Sequence, residues 1–224
     1  MEINPEKNSN PLRLAVVTGG HGYDVPNFQR LFGRLAGLDA TILPLDDFAA
    51  SSQRMRDDYT GVLFYFMPTQ KSGAESQRWY TGRVLAALEH LRETGQGLVV
   101  LHHALLAYPE WPTWREVSGI DPALESYHHD QALRLHVAAP EHPITAGLAD
   151  FKLVDETYHM GEPDPGCQVL LTTNHPLSLR SIAWARSFGR SRVFCLALGH
   201  DAACWNSPAF EQILARGIRW TVSG

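Results

Sequence analysis

The sequence predicts a three-layer α/β/α protein, a mostly parallel sheet with helices packed on both faces. Two observations carry this expectation. Over the first hundred residues, short apolar runs alternate with longer segments whose apolar residues recur three and four positions apart, which is the pattern of strand and helix in turn. At 224 residues and 25.0 kDa, the chain is also long enough to bury both faces of a large sheet within one domain.

The elements follow in order. "LRLAVVTGG" is a strand candidate that runs into two glycines. "VPNFQRLFGRLAGL" follows as a helix, with Phe28, Leu31, Phe32, Leu35 and Leu38 on one stripe. Asp24 serves as its N-cap, and Pro26 falls in the first turn, where a missing N–H does no harm. "ATILPL" and "GVLFYF" are the next strand candidates. Residues 75–94 predict a helix with Val84, Leu88 and Leu91 on one face, closed by Gly95. "GLVVLH" is the strand after it.

Beyond about residue 125 the candidates shorten to "ALRLHVAA", "FKLVDE", "CQVLLTT", "SIAWAR" and "RVFCLAL", separated by Pro, Gly and Asn clusters. The alternation in "RLHV" suits an antiparallel edge. "SPAFEQILARGIRW" closes the chain as a helix, with Phe210, Ile213, Leu214 and Ile218 on one stripe, Ser207 as N-cap and Pro208 first in the helix. The polar first twelve residues predict a short disordered tail over residues 1–11, not a secretory leader. Residues 12–224 then form one domain, with no repeat or linker to divide them.

Composition narrows the function. A hydrophobic share of 44% and a charged share of 19% suit a globular protein away from the membrane, since no apolar run approaches the 18 or so residues of a spanning helix. The net charge is -5 and the 19 basic residues are scattered, which gives no footprint for nucleic acid. Cys167, Cys195 and Cys204 form no C-x-x-C pair, against a disulfide framework or zinc ribbon and in keeping with a reducing cytoplasm. A homo-oligomer remains open. The unusual feature is 11 histidines, because imidazole is both the usual general base near neutral pH and a common metal ligand.

Their placement is informative. In open α/β sheets ligands bind beyond the carboxyl ends of the strands. Three histidine-bearing segments follow strand candidates there: "TGGHGYD" with His21 and Asp24, "LHHA" with His102 and His103, and "LGHD" with His200 and Asp201. A fourth, "VDETYHM", puts Asp155, Glu156 and His159 at the end of another strand candidate. Any one histidine could simply satisfy a local backbone group, but four such segments argue for a shared site. "TGGHG" matches neither phosphate-loop pattern. His21, one of His102 and His103, Glu156 and His200 could together hold a divalent metal such as zinc, although no H-E-x-x-H spacing is present.

The turn at His102 and His103 lacks the Ser or Cys of a nucleophile elbow, and Cys204 reads as a buried or incidental thiol. Tyr108, Trp111, Trp114, Tyr127, Tyr158 and Trp205 fall near these loops. They could present flat faces to a sugar, or pack locally.

Taken in order, "GGHGYD", "GLVVLHHALLAYPEWPTWREVSGID", "EHPITAGLADFKLVDETYHM" and "RVFCLALGHDAACWNSPAFEQILARGIRW" resemble the trehalose-utilization, or ThuA-like, family from about Leu12 to Trp220. The resemblance implies the flavodoxin-like, class I glutamine amidotransferase-like fold, and an association with disaccharide and keto-sugar metabolism. In amidotransferases of this fold a cysteine stands at the elbow after the corresponding strand. Here that turn carries His102 and His103, which implies loss of glutaminase chemistry.

His200 is similar in placement to the amidotransferase triad histidine, making it the first candidate for a general base or metal ligand. The implied function is an enzyme, hydrolase or isomerase, acting on a small sugar or an oxidised (keto) disaccharide. In it His200 and one of His102 and His103 move protons or hold a metal. Asp155 or Glu156 orients a histidine or binds hydroxyls, and His21 completes the site. The alternative is a non-catalytic sugar-binding or assembly module that kept the site after losing its nucleophile.

Overall fold

The computed structural model describes residues 11–68 and 81–223. The apolar runs of the first half become β1 (Leu12–Gly19), β2 (Leu38–Pro44), β3 (Gly61–Phe66) and β4 (Gly97–Leu101). Every residue of β3 and β4 is buried, as expected of strands covered on both faces. Helix α1 (Val25–Arg34) starts where Asp24 accepts the Asn27 N–H. Helices α2 (Leu45–Ala50) and α3 (Gln53–Asp57) are short, and α4 is described over Thr81–Thr94. Residues 75–80 of the expected fourth-helix segment, like residues 1–10 of the expected tail, lie outside the described residues.

After β4 come a 3-10 turn (His102–Leu106), α5 (Pro112–Ser118) and the strands β5 (Leu124–Val137), β6 (Phe151–Met160), β7 (Gln168–Thr173), β8 (Ser181–Phe188) and β9 (Ser191–Leu196). Helices α6 (Ala202–Trp205) and α7 (Pro208–Val222) complete the chain. The strands form one sheet of nine in the order β2-β1-β3-β4-β9-β8-β7-β5-β6. From β2 to β9 all neighbours are parallel, and from β9 to β6 all are antiparallel.

The expected α/β fold around a large central sheet is present, and in detail the sheet is mixed, parallel from β2 to β9 and antiparallel beyond. The cause is local: only Gly189 and Arg190 separate β8 from β9. A link that short makes a hairpin, since a parallel return needs a crossover of a dozen residues or more.

Two strands run further than their apolar cores suggested. β5 begins at Leu124, and its polar half "LESYHHDQ" is carried past register shifts between Leu124 and Ser126 and between His128 and Gln131. β6 extends through "TYHM", so Asp155, Glu156 and His159 lie within the strand and not beyond its end.

Helix α7 packs over β4 and β9 by approaching closely at Gly217, where a Cβ would overlap the Phe194 ring. Gly217→Ala should thus lower stability by about 1–3 kcal/mol through overpacking, despite a helix-propensity gain of about 0.8–1.0 kcal/mol. A urea unfolding midpoint that stays level or rises would show that this approach is not tight.

Candidate functional site

β4 delivers the chain to a strained turn. His102 has φ 54, a left-handed value that a non-glycine residue adopts at a cost. The chain thus turns sharply at the end of β4 and carries an imidazole at the turn. His102 is fully buried, and its Nδ1 lies 2.8 Å from the Ala197 carbonyl oxygen. A carbonyl only accepts, so Nδ1 carries a proton. The Tyr158 hydroxyl lies 2.7 Å from Nε2 of the same ring. Burial, and after it Glu156, push the Tyr158 phenol well above its usual range, so it stays a neutral O–H donor.

Tyr158 and Glu156 reach this point because the antiparallel half of the sheet curls over the carboxyl ends of the parallel strands. Asp155 records the same curl: its carboxylate accepts the Gly199 N–H at 2.6 Å and the His200 N–H at 3.0 Å, just past β9. The Gly199 carbonyl accepts from Trp205 Nε1 at 2.8 Å, and the Tyr65 hydroxyl lies 3.1 Å from the His200 carbonyl. The His200 backbone is held from several sides, which leaves its partly exposed ring to the site. Burial raises the Asp155 carboxyl above its usual range, against the opposing pull of His102 and the two N–H groups.

Four further histidines gather around His102. The His200 ring centroid is 5.5 Å from that of His102 and 5.0 Å from that of His129. His21 lies 4.5 Å from His103 and 6.5 Å from His200. Glu156 is the anion among them: His129 Nδ1 is 2.8 Å and His200 Nε2 3.6 Å from its Oε2, and His102 Nε2 is 3.5 Å from its Oε1. Burial alone would raise this carboxyl, but His102 and His200 outweigh it and hold Glu156 below its usual range. It remains a carboxylate.

His103 differs from its neighbours. It is buried against Tyr65 (centroids 4.3 Å apart), and neither ring nitrogen has a partner at hydrogen-bonding geometry among the described residues. Burial, then the charges of His102, His21 and His200, push its pKa down to about 2, and a weak opposing pull from the Tyr65 backbone does not offset them. It is a neutral wall of the site.

That has a measurable consequence. Because the folded-state pKa is depressed, the unfolded chain takes up the proton first, so the penalty is absent above about pH 6.5 and grows as the pH falls. Between pH 7 and pH 5 His103 should cost about 2 kcal/mol of stability. Denaturant midpoints at the two pH values check this, and His103→Phe should remove most of the difference. An unchanged pH slope in that variant would mean His103 titrates normally.

Several expected site residues are committed elsewhere. Asp24 caps α1 and bonds Asn27. Trp114 is buried and donates Nε1–H to the Ala104 carbonyl at 2.9 Å, so it belongs to the core. Tyr108 packs on Phe66, Trp111 and Trp114, and Trp111 is half-buried against it. Trp205 is likewise buried, shaping the Gly199 turn. A Pro-containing loop crowded with aromatics has packed against itself, because burying those rings outweighs presenting them.

His159 points away from Tyr158 by strand alternation and pairs with Glu125 at 3.0 Å on an exposed face. Cys204 is buried, with its thiol pushed well above the usual range by burial and Asp155, and is no displaced nucleophile. The exposed aromatic beside the histidines is Tyr127, 5.4 Å from His129.

His129 itself was missed in the sequence. It stands in the polar half of β5, where the register shift between His128 and Gln131 and the left-handed Asp130 (φ 56) turn it onto Glu156. The doublet "HHD" was the available signal, but nothing in its spacing gives the bulge. The expected metal set also changes. Among the described residues, His129, Glu156 and His200 offer ligand atoms that all lie within 4.8 Å of one another. His21 and His103 stack beside this group without joining it.

A half-parallel, half-antiparallel sheet with a strained elbow and histidines at its carboxyl edge defines an amidotransferase-like α/β protein without the elbow thiol. A glutamine amidotransferase from Thermotoga maritima shares the fold, with 8% identity over 97% of this chain and 100% of that one and a TM-score of 0.58. ThuA-like proteins from Parabacteroides merdae (17% identity, 96% of this chain and 91% of that one, TM-score 0.73) and Bacteroides uniformis (20%, 98% and 96%, TM-score 0.73) superpose better. No curated protein sequence matches this one. The family model for ThuA, trehalose utilisation, matches residues 57–221, and the chain belongs to that family.

Proposed function

We propose that this ThuA-family chain is an enzyme that transfers protons on a sugar, with an oxidised (keto) disaccharide as the favoured substrate class, and that it has no glutaminase activity. The observation that carries the reading is the carboxylate Glu156 with His102, His129 and His200 around it, bordered by His21 and the neutral ring of His103. Proton transfer beside a carbonyl needs a group to hold the oxygen and a base to take the proton.

His129 and His200, which reach solvent, engage the substrate oxygens beside the buried Glu156 that joins them. His102 and Tyr158, both buried, keep Glu156 ionised and oriented. Burial and then His102 lower the pKa of His21, so its ring is neutral at neutral pH and serves as the base. Tyr127 offers a face to a sugar ring. The sugar class rests on the trehalose-utilisation description of the family.

A reducing cytoplasm is part of the same proposal, and the three free cysteines support it. A Salmonella typhimurium neighbour with a TM-score of 0.69 is described as a cytoplasmic protein. Among the described residues no helix is long and apolar enough to cross a membrane.

The test is incubation in deuterium oxide with disaccharides and their keto forms, read by NMR. Deuterium entering the carbon beside the carbonyl, and lost in His21→Phe, supports the reading. Release of monosaccharides without label would make the chain a hydrolase. Binding without any conversion would make it a sugar-binding module. Ammonia release from glutamine above background would remove the claim about glutaminase.

A further inference from the structure

From the His129–Glu156–His200 cluster we infer a divalent transition-metal site, with zinc as the best-matched ion. The donor set is two imidazoles and one carboxylate, a combination that zinc and its neighbours in the first row accept. Its spacing fits. Ligand atoms about 2.0–2.1 Å from a tetrahedral ion lie roughly 3.3 Å from one another, and Glu156 Oε2 is 2.8 Å from His129 Nδ1 and 3.6 Å from His200 Nε2. All three donor atoms fall within 4.8 Å of one another.

Three further features favour an ion over ordinary ion pairing. One carboxylate oxygen is shared by two imidazole nitrogens, whereas a simple pair is complete with one. The outer partners of a metal site are also in place. The other oxygen of Glu156 faces His102 Nε2 at 3.5 Å, and the His102 ring is held at Nδ1 by the Ala197 carbonyl. Finally, His129 reaches the cluster only through a β5 bulge that holds Asp130 at φ 56. Bulges recur where a side chain must be re-aimed at a functional site.

Three protein ligands leave at least one position open, the arrangement of a catalytic site and not a structural one. His129 is the most exposed of the three, so the open side faces solvent. The site stands on this donor set alone and does not need the sugar reading.

The experiment is equilibrium dialysis of the whole chain, first stripped with a chelator, against zinc alone, with bound metal measured by elemental analysis. Cobalt(II) absorption then serves as a second readout. About one zinc per chain is expected. His129→Ala and Glu156→Gln should each weaken binding by more than about tenfold, the least that even loss of an outer-shell partner tends to cost. His159→Ala is the control, since it removes an exposed histidine paired with a glutamate at a similar distance, and should leave uptake unchanged. A diffraction map at the zinc edge should place the anomalous peak among the three side chains. No retained zinc in the parent, equal retention in His129→Ala, or a peak elsewhere would overturn the assignment. Because no sugar enters the measurement, failure here leaves the sugar reading untouched, and failure of that reading leaves the metal site standing.

Discussion

His200→Ala is expected to reduce conversion of the substrate by about 10²–10⁴-fold, the usual contribution of a positioned acid, base or ligand, while lowering stability by only about 1 kcal/mol. The two effects separate because the features that fix this residue are bonds of its backbone. Asp155 accepts the His200 N–H, and the Tyr65 hydroxyl meets the His200 carbonyl, and alanine keeps both. The ring has 24% exposure and lies at the rim of the histidine cluster, so its loss opens no sealed cavity. Steady-state kinetics and a urea denaturation curve on the same preparation check both halves. Full conversion by the variant, or a large fall in its midpoint, would make His200 a structural residue.

Leu101→Ala should behave in the opposite way, costing about 2–5 kcal/mol. Leu101 is fully buried at the last position of β4 and is paired with Leu196 of β9. Strands on both sides and helices on both faces leave the site little freedom to collapse, and the cost of a cavity rises with the volume left unfilled. For a chain of this size each kcal/mol lowers the melting temperature by roughly 2–4 °C. Well below its melting point the variant should still convert substrate, because Leu101 is fully buried in the core. A melting temperature within a degree of the parent would mean that the β4 end repacks freely.

The contrast between these residues also shows what could be read from the sequence. Leu101 and the rest of "GLVVL" declare themselves by composition, since a continuous apolar run before a turn has few other fates. α1 and α7 were equally plain, each with an apolar stripe and a proline in its first turn. Helices α2, α3, α5 and α6 were not, because segments of four to seven residues are too short to show a period. The antiparallel half of the sheet was only partly visible. Its strands were found, but pairing order and the start of β5 depend on hairpin lengths and bulges that leave no periodic trace.

The site divides along the same line. His102, His103, His21 and His200 could be placed because each follows an apolar strand. Glu156 reads as the end of a strand and Tyr158 as part of the loop after it, since nothing in "VDETYHM" shows that β6 continues through them to Met160. His129 was missed because its role depends on a bulge. For Trp114 and Trp205 the sequence leaves a ligand face and local packing both open, and the structure takes the second, with their indole N–H groups on backbone carbonyls inside the protein. An aromatic residue near a site and one in it have the same sequence.

The most direct test of the central claim, that Glu156 and its histidines are where the substrate binds, is a crystal structure of the chain soaked with whichever disaccharide or keto-disaccharide most raises its melting temperature, since specific binding stabilises by mass action. Sugar density with an oxygen within hydrogen-bonding reach of Glu156, His129 or His200, and a ring lying against Tyr127, is the predicted result. Ordered sugar on another face of the sheet, with this cluster unchanged and unoccupied, would contradict it.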